Sequence, residues 1–110
     1  MVLNNQAPIE QNPLELVDLP KPTVNDNQIL VKISVCGACH TDLDEAEGRL
    51  RPTKSPIIPG HQIVGKVAEK GKQVTKFQIG DRVGITWLYY SCGKCDFCQA
   101  GNENLCNQAK

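Results

Sequence analysis

Four cysteines toward the C-terminal end, Cys92, Cys95, Cys98 and Cys106, keep the spacing C-x2-C-x2-C-x7-C. No other feature constrains the chain as much. Neighbouring C-x2-C pairs can converge their sulfurs on one ion but are poorly placed to bridge each other without strain. Zn²⁺ favours soft sulfur and takes four protein ligands when it is purely structural, so four thiolates within fifteen residues match a closed tetrahedral site. From Tyr90 onward aliphatic residues are few and Gly93 and Gly101 interrupt the chain. The lobe over residues 91–106 therefore needs something other than hydrophobic burial to hold it. An iron–sulfur cluster is the sharper rival, because bacterial ferredoxins also carry C-x2-C-x2-C. There the next cysteine follows after three residues and is trailed by proline, whereas here seven residues intervene and Asn107 follows Cys106. Free buried cysteines are the plain reading, although random cysteines seldom keep C-x2-C twice in succession.

At 110 residues the chain reads as one domain of the commonest size, too short for a two-domain enzyme. Twelve basic residues balance twelve acidic ones, which removes the electrostatic footprint of a nucleic-acid binder. Apolar runs such as Ile29 to Val31 fall far short of the roughly 20 residues that span a bilayer, so no membrane partner is expected. The N-terminus has neither a basic start nor an apolar stretch. With six cysteines, below the density of a disulfide scaffold, the expected compartment is reducing and the expected location cytoplasmic.

The pattern along the chain is mainly β, in an α+β arrangement. Residues 1–13 read as a lead-in or edge segment. Leu14 to Leu19 reads as a short strand closed by Pro20 and Pro22, which cannot donate to a ladder. Gln28 to Cys36 is rich in β-branched residues and predicts the clearest strand, with Cys36 as a buried small hydrophobe. Thr41 to Glu47 predicts a helical turn or two ended by Gly48, and Arg49 to Pro59, with Pro52, Pro56 and Pro59, predicts loop. Gln62 to Glu69 alternates as a strand with Gly71 at the turn, and another strand is expected from the Gly80–Asp81 turn through Trp87.

A second constellation pairs Cys39-His40-Thr41-Asp42 with Gly60-His61-Gln62. One thiolate and one imidazole are good ligands for a zinc that keeps open positions, but two are too few, and the plain reading of His61 is a structural or surface histidine. Together, Gly37-Ala38-Cys39-His40-Thr41-Asp42, Pro59-Gly60-His61-Gln62 with Gly65, Gly71 and Val74, Gly80-Asp81-Arg82-Val83, and the four-cysteine lobe ending Gly101-Asn102-Glu103-Asn104-Leu105-Cys106 resemble the zinc-dependent medium-chain alcohol dehydrogenases.

The resemblance covers nearly all of the chain from about Leu14 onward, in the same motif order. It implies a GroES-like β-barrel catalytic domain over 1–110, incomplete, with a structural-zinc lobe at 91–106 and a Rossmann domain binding NAD(P) beyond it. It implies further that Cys39 and His61 ligate a catalytic zinc whose remaining protein ligand lies past Lys110, and that Cys92, Cys95, Cys98 and Cys106 hold the structural zinc. Thr41 would bond the substrate oxygen and begin a proton relay, a role that suits a hydroxyl; its plain reading is a helix N-cap. Asp42 would orient the zinc-bound histidine. His40 would contact a cofactor phosphate or serve as a relay base, and Trp87 would wall the alcohol pocket, where its plain reading is a core aromatic. Gln62 departs from the family's usual glutamate, leaving the site less negative. The implied activity is oxidation of small alcohols to aldehydes or ketones, by a homo-oligomer, dimer or tetramer, when full length; the 110 residues alone are expected to be inactive. The alternatives are a non-enzymatic zinc-stabilised binding module, a co-chaperonin of the same fold, which has no reason to carry the metal ligands, and a zinc-free quinone or enoyl reductase relative.

Overall fold

The computed structural model describes residues 1–52 and 54–110, so within the Arg49–Pro59 segment Thr53 lies outside the described residues. In chain order come β1 (Val2–Leu3), β2 (Leu14–Glu15), β3 (Ile29–Gly37), α1 (His40–Glu47), β4 (Gln62–Lys70), β5 (Arg82–Ile85) and α2 (Asp96–Gln99), with 3₁₀ turns at Ile9–Gln11 and Glu103–Leu105. The β-branched run of β3 pairs antiparallel with β4, and β4 pairs antiparallel with β5. The rungs Val31↔Val67, Ile33↔Gly65 and Gly65↔Val83 turn apolar side chains to one face, and Lys32↔Lys66 and Lys66↔Arg82 occupy the other. Register shifts between Leu30 and Val31 and between Ile33 and Val35 bend β3 as it approaches Gly37.

Val67 and Gly65 are buried on the inner face, but Ile33 is 56 % and Ile85 40 % exposed. The sheet has three strands in the order β3-β4-β5, so β3 and β5 keep free edges and the expected barrel is not closed among the described residues. A radius of gyration of 15.9 Å, against the ~13 Å of a compact domain of this length, fits that open form.

The second cluster of burial is N-terminal. β1 pairs antiparallel with β2, and Leu3 exchanges backbone hydrogen bonds with Ile57 at 2.8 and 3.1 Å. Val2, Leu3 and Ala46 are buried, so the edge segment expected over residues 1–13 also carries core. It clamps α1: Gln6 Nε2 donates to the Glu45 and Leu50 carbonyls at 2.8 and 3.0 Å, and Ile9 N donates to Glu47 at 3.1 Å. That backbone donor, and then Arg49, hold the Glu47 carboxyl below its usual range, while Asp44 and then Glu47 raise Arg49. Gly48 ends the helix as expected, at φ 85°, where a side chain would be strained.

Four expectations are corrected. The strand read over Leu14 to Leu19 pairs only at Leu14–Glu15; Leu16 and Leu19 are 85 % and 58 % exposed, with no strand beside them among the described residues. β5 stops at Ile85 and does not reach Trp87, because the Thr86 hydroxyl accepts the Leu88 N–H at 3.3 Å and turns the chain. Cys36 is exposed, since the bulge near Val35 places it at the open end of the sheet. The N-cap of α1 is Cys39, which forms a capping box with Asp42, so Thr41 lies inside the helix.

Gly71 shows how tightly the β4 turn is packed. A Cβ there would collide with the backbone of Asn25 and Asp26, while one at Gly84 would meet nothing nearer than the Ile63 carbonyl at 3.8 Å. Gly71→Ala should therefore destabilise the zinc-loaded protein by about 2 kcal/mol or more and Gly84→Ala by less than about 0.5 kcal/mol, read from denaturant midpoints. Equal midpoints for the two variants would refute this packing.

Candidate metal centres

The last rung of the β3–β4 pair is Gly37↔Gln62. The Gln62 amide oxygen lies 2.9 Å from where a Gly37 Cβ would stand, so the side chain folds over the space the glycine leaves. On the other strand Gly60 turns the corner at φ 123°, with the Cys36 sulfur 2.7 Å from its would-be Cβ. Just past this rung the two strand ends present Cys39 and His61 to each other, Sγ to Nε2 at 3.2 Å. Asp42 lies behind both. Its Oδ2 accepts the Cys39 N–H at 2.8 Å, and its Oδ1 is 3.3 Å from His61 Nδ1.

Asp42 Oδ1 is buried and has no well-aligned donor among the described residues, which leaves Nδ1–H of His61 as the group placed to satisfy it. That arrangement puts the proton on Nδ1 and leaves the Nε2 lone pair facing the cysteine sulfur. Ligand atoms of Cys39, Asp42 and His61 lie within 4.8 Å of one another. A thiolate and an imidazole with an orienting carboxylate suit Zn²⁺, and as a set with fewer than four donors they leave coordination positions open.

The second centre is the cysteine lobe. Cys95 caps α2, Cys98 lies within it, and Cys106 follows the 3₁₀ turn Glu103–Leu105. Cys98 Sγ is 3.5 Å from Cys95 Sγ and 3.9 Å from Cys92 Sγ, and one ligand atom from each of the four cysteines fits within 4.8 Å of the others. Sulfurs arranged tetrahedrally at the Zn–S distance of about 2.3 Å stand roughly 3.8 Å apart, so this spacing fits a metal and is far too long for disulfides. Backbone N–H groups already face the sulfurs: Cys95 N donates to Cys92 at 3.3 Å, and Cys92 N and Gln108 N donate to Cys106 at 3.4 and 3.3 Å. Donation from Lys94 and then Cys95 lowers the Cys92 thiol to about 6, while burial and then the Cys95 thiol push Cys98 up to about 11. Four sulfurs this close cannot all ionise comfortably without a cation among them. The segments flanking the lobe are tied together, with Tyr89 N and Tyr90 N both donating to the Lys110 carbonyl at 2.7 and 2.9 Å.

Between the lobe and the sheet runs a largely apolar cleft of about 600 Å³, lined by His61, Gln62, Val64, Ile85, Trp87 and Asn104 among others. Trp87 is 60 % exposed along this wall and is no core aromatic. The structure thus brings His61, Gln62 and Trp87 to one cleft and joins Cys39 and Asp42 to its His61 end. Thr41 and His40 are not among the cleft residues; His40 is exposed on α1, with Nε2 3.5 Å from Asp44, which also accepts Arg49 Nε at 2.5 Å. Asn104 and Ile85 were missed as cleft residues in the sequence. Asn104 carries no signal of its own there, and Ile85 read only as part of a strand.

A profile of the family described as Alcohol dehydrogenase GroES-like domain matches residues 25–110. An alcohol dehydrogenase of Geobacillus stearothermophilus is 47 % identical over 106 residues, which is 93 % of this chain and 31 % of that protein. Among solved structures, "CAD from Helicobacter pylori complexed with NADP(H)" superposes with a TM-score of 0.70 at 37 % identity, over 79 % of this chain and 25 % of that one. A cobalt- and zinc-bound thermostable alcohol dehydrogenase from Pyrobaculum aerophilum superposes with a TM-score of 0.84 at 25 % identity, over 97 % of this chain and 31 % of that one. The chain thus spans under a third of the length of these relatives. With most of its residues under one family profile, and with strands and cysteine lobe that superpose on such enzymes, the chain belongs to the alcohol dehydrogenase GroES-like domain family.

Proposed function

We propose that this chain is the zinc-holding catalytic portion of an alcohol dehydrogenase, which oxidises small alcohols to aldehydes or ketones by hydride transfer to NAD(P) bound elsewhere in a longer protein. The observation that carries the reading is the approach of Cys39 Sγ and His61 Nε2 to 3.2 Å, with Asp42 behind them, at one end of an apolar cleft. Zinc at this end would act as a Lewis acid that makes the alcohol hydroxyl easier to deprotonate.

The chain's own residues divide the remaining work. Cys39 and His61 hold the metal, and Asp42 fixes the histidine tautomer and raises its basicity. A further protein ligand comes from outside the 110 residues. The Thr41 hydroxyl, one helical turn from Cys39 at most, accepts the alcohol proton and passes it outward, since a hydroxyl donates and accepts at once. His40, exposed beside Asp44, continues that relay or meets a cofactor phosphate. Gln62 contributes a neutral amide beside the site, and Trp87 walls the cleft and favours small substrates. The four-cysteine lobe holds a second zinc with a structural role. The sequence contains no G-x-G-x-x-G, so the phosphate-cradling turn for the nicotinamide cofactor lies outside it.

Metal analysis of the dialysed chain should find about one tightly held zinc, lost in Cys98→Ser and kept in Cys39→Ser, as expected when only the four-thiolate site is closed. Unchanged zinc in Cys98→Ser would overturn the lobe assignment. With a primary alcohol, the 110 residues should form no NAD(P)H, whereas the protein extended by its nucleotide-binding portion should. In that extended enzyme Thr41→Ala should lower kcat by about 10²-fold or more and Thr41→Ser far less. An inactive extended enzyme that still binds zinc would favour a binding module instead, and full activity in Thr41→Ala would remove the relay role.

A further inference from the structure

Among the described residues, Asn104 is the one residue that the cysteine lobe contributes to the cleft beside His61. It stands in the middle of the 3₁₀ turn Glu103–Leu105, and that turn is pinned on both sides. Asn102 N donates to the Phe97 carbonyl at 2.8 Å, Leu105 N to Asn102 at 2.9 Å and Cys106 N to Glu103 at 3.0 Å. Cys106 is buried and is one of the four converging sulfurs, so the backbone that carries the Asn104 amide is fixed by the lobe's own bonds.

The side chain runs against its surroundings. Ile63, Val64, Ile85 and Leu88 help make the cleft apolar, while Leu105, next to Asn104, is 54 % exposed and is not among the cleft residues. An apolar residue was at hand in the same turn, yet the amide lines the cleft. The other polar groups there are engaged: His61 faces Cys39 and Asp42, the Thr86 hydroxyl takes the Leu88 N–H, and Gln62 folds over Gly37. The lobe's hydrogen bonds run through its backbone, its sulfurs and Gln99, and among the described residues none takes in the Asn104 amide. Hydrocarbon laid over an unpaired amide strips its water and returns no bond, whereas an oxygen returns one. We infer that Asn104 is a specificity-determining residue that hydrogen-bonds a second oxygen of the substrate, so that the site prefers alcohols bearing a further hydroxyl, carbonyl or ether oxygen over plain alkanols of equal length. The amide suits all three, since Nδ2 donates and Oδ1 accepts. The inference rests on the dehydrogenase reading: the reacting hydroxyl goes to the Cys39–His61 end, and the lobe wall reads the rest of the molecule. A cleft of about 600 Å³ has room for both ends.

The test compares α,ω-diols of about three to six carbons with the primary alkanols of matching length. In the protein extended by its nucleotide-binding portion, kcat/KM for the best diol should equal or exceed that of its alkanol, although the diol is the better hydrated of the two. Asn104→Leu should lower the diol value at least about tenfold and leave the alkanol value within about threefold. If the leucine variant loses the zinc of the lobe, Asn104→Ala takes its place with the same expectation. A diol value that falls no further than the alkanol value would overturn the inference, because an equal loss on both marks a residue that only holds the lobe. Trp87, the single tryptophan of the chain, lines the same cleft, so its emission reads occupancy without turnover. An extended enzyme that holds zinc yet oxidises neither class defeats the dehydrogenase reading, and titration of the emission then decides the role of Asn104 alone. Tighter binding of the diol, weakened at least about tenfold in Asn104→Leu, would support that role. Equal binding of diol and alkanol, or binding of neither, would overturn it.

Discussion

The antiparallel pairing of β3 with β4 is the constraint on which the site depends. Cys39 and His61 are far apart in sequence and belong to different loops. They meet because the ladder runs without a break in direction to Gly37↔Gln62, leaving each chain only one or two residues to travel before the ligand. The ladder also fixes the role of the residues around it. Gly37 and Gly60 give up side-chain volume to Gln62 and Cys36, which lets the two strand ends close to 3.2 Å between Sγ and Nε2. A slip of one residue in this pairing would turn the inner face outward and separate the ligands.

The cysteine lobe is held by a different force. Apart from Cys106 it buries no side chain deeply, and Phe97 and Leu105 remain 40 % and 54 % exposed. Its order comes from short helical turns, N–H donors aimed at sulfur and the Tyr89–Lys110 tie, none of which relieves four thiols held at van der Waals distance. Backbone N–H donation from Lys94 and Cys95 lowers the Cys92 thiol to about 6, while burial and then the Cys95 thiol push Cys98 up to about 11, so the four sulfurs do not ionise alike. A divalent ion would relieve the crowded sulfurs by stabilising every thiolate at once, so that metal binding and folding of the lobe would be one event. Because the lobe contributes Asn104 to the cleft beside His61, the order it imposes reaches the Cys39–His61 end of the molecule.

What the sequence disclosed and what it hid separate along physical lines. Local rules carried far: β-branched residues gave β3 within one residue of its ends, Gly48 ended α1, and cysteine spacing alone assembled the lobe. Cys39, Asp42 and His61 came together as the resemblance implied. Long-range and compensating effects were not legible. Nothing in Val2 and Leu3 announces pairing with Leu14 and Ile57, and nothing in Gln6 announces that its amide caps the end of α1. Alternation along β3 and β4 says which side chains face inward. It does not say what covers them, so the inner Ile33 and Ile85 stay exposed where a closed barrel was expected. Periodicity carries the last strand on to Trp87 because it ignores the Thr86 hydroxyl that turns the chain.

The central claim is that these residues build a zinc-thiolate lobe beside a cysteine–histidine site. X-ray absorption at the zinc edge of the purified chain addresses it most directly. The predicted spectrum shows about four sulfur neighbours at about 2.3 Å and no iron scatterer. A first shell dominated by nitrogen and oxygen, or a purified chain that carries iron and shows no zinc edge, would contradict it.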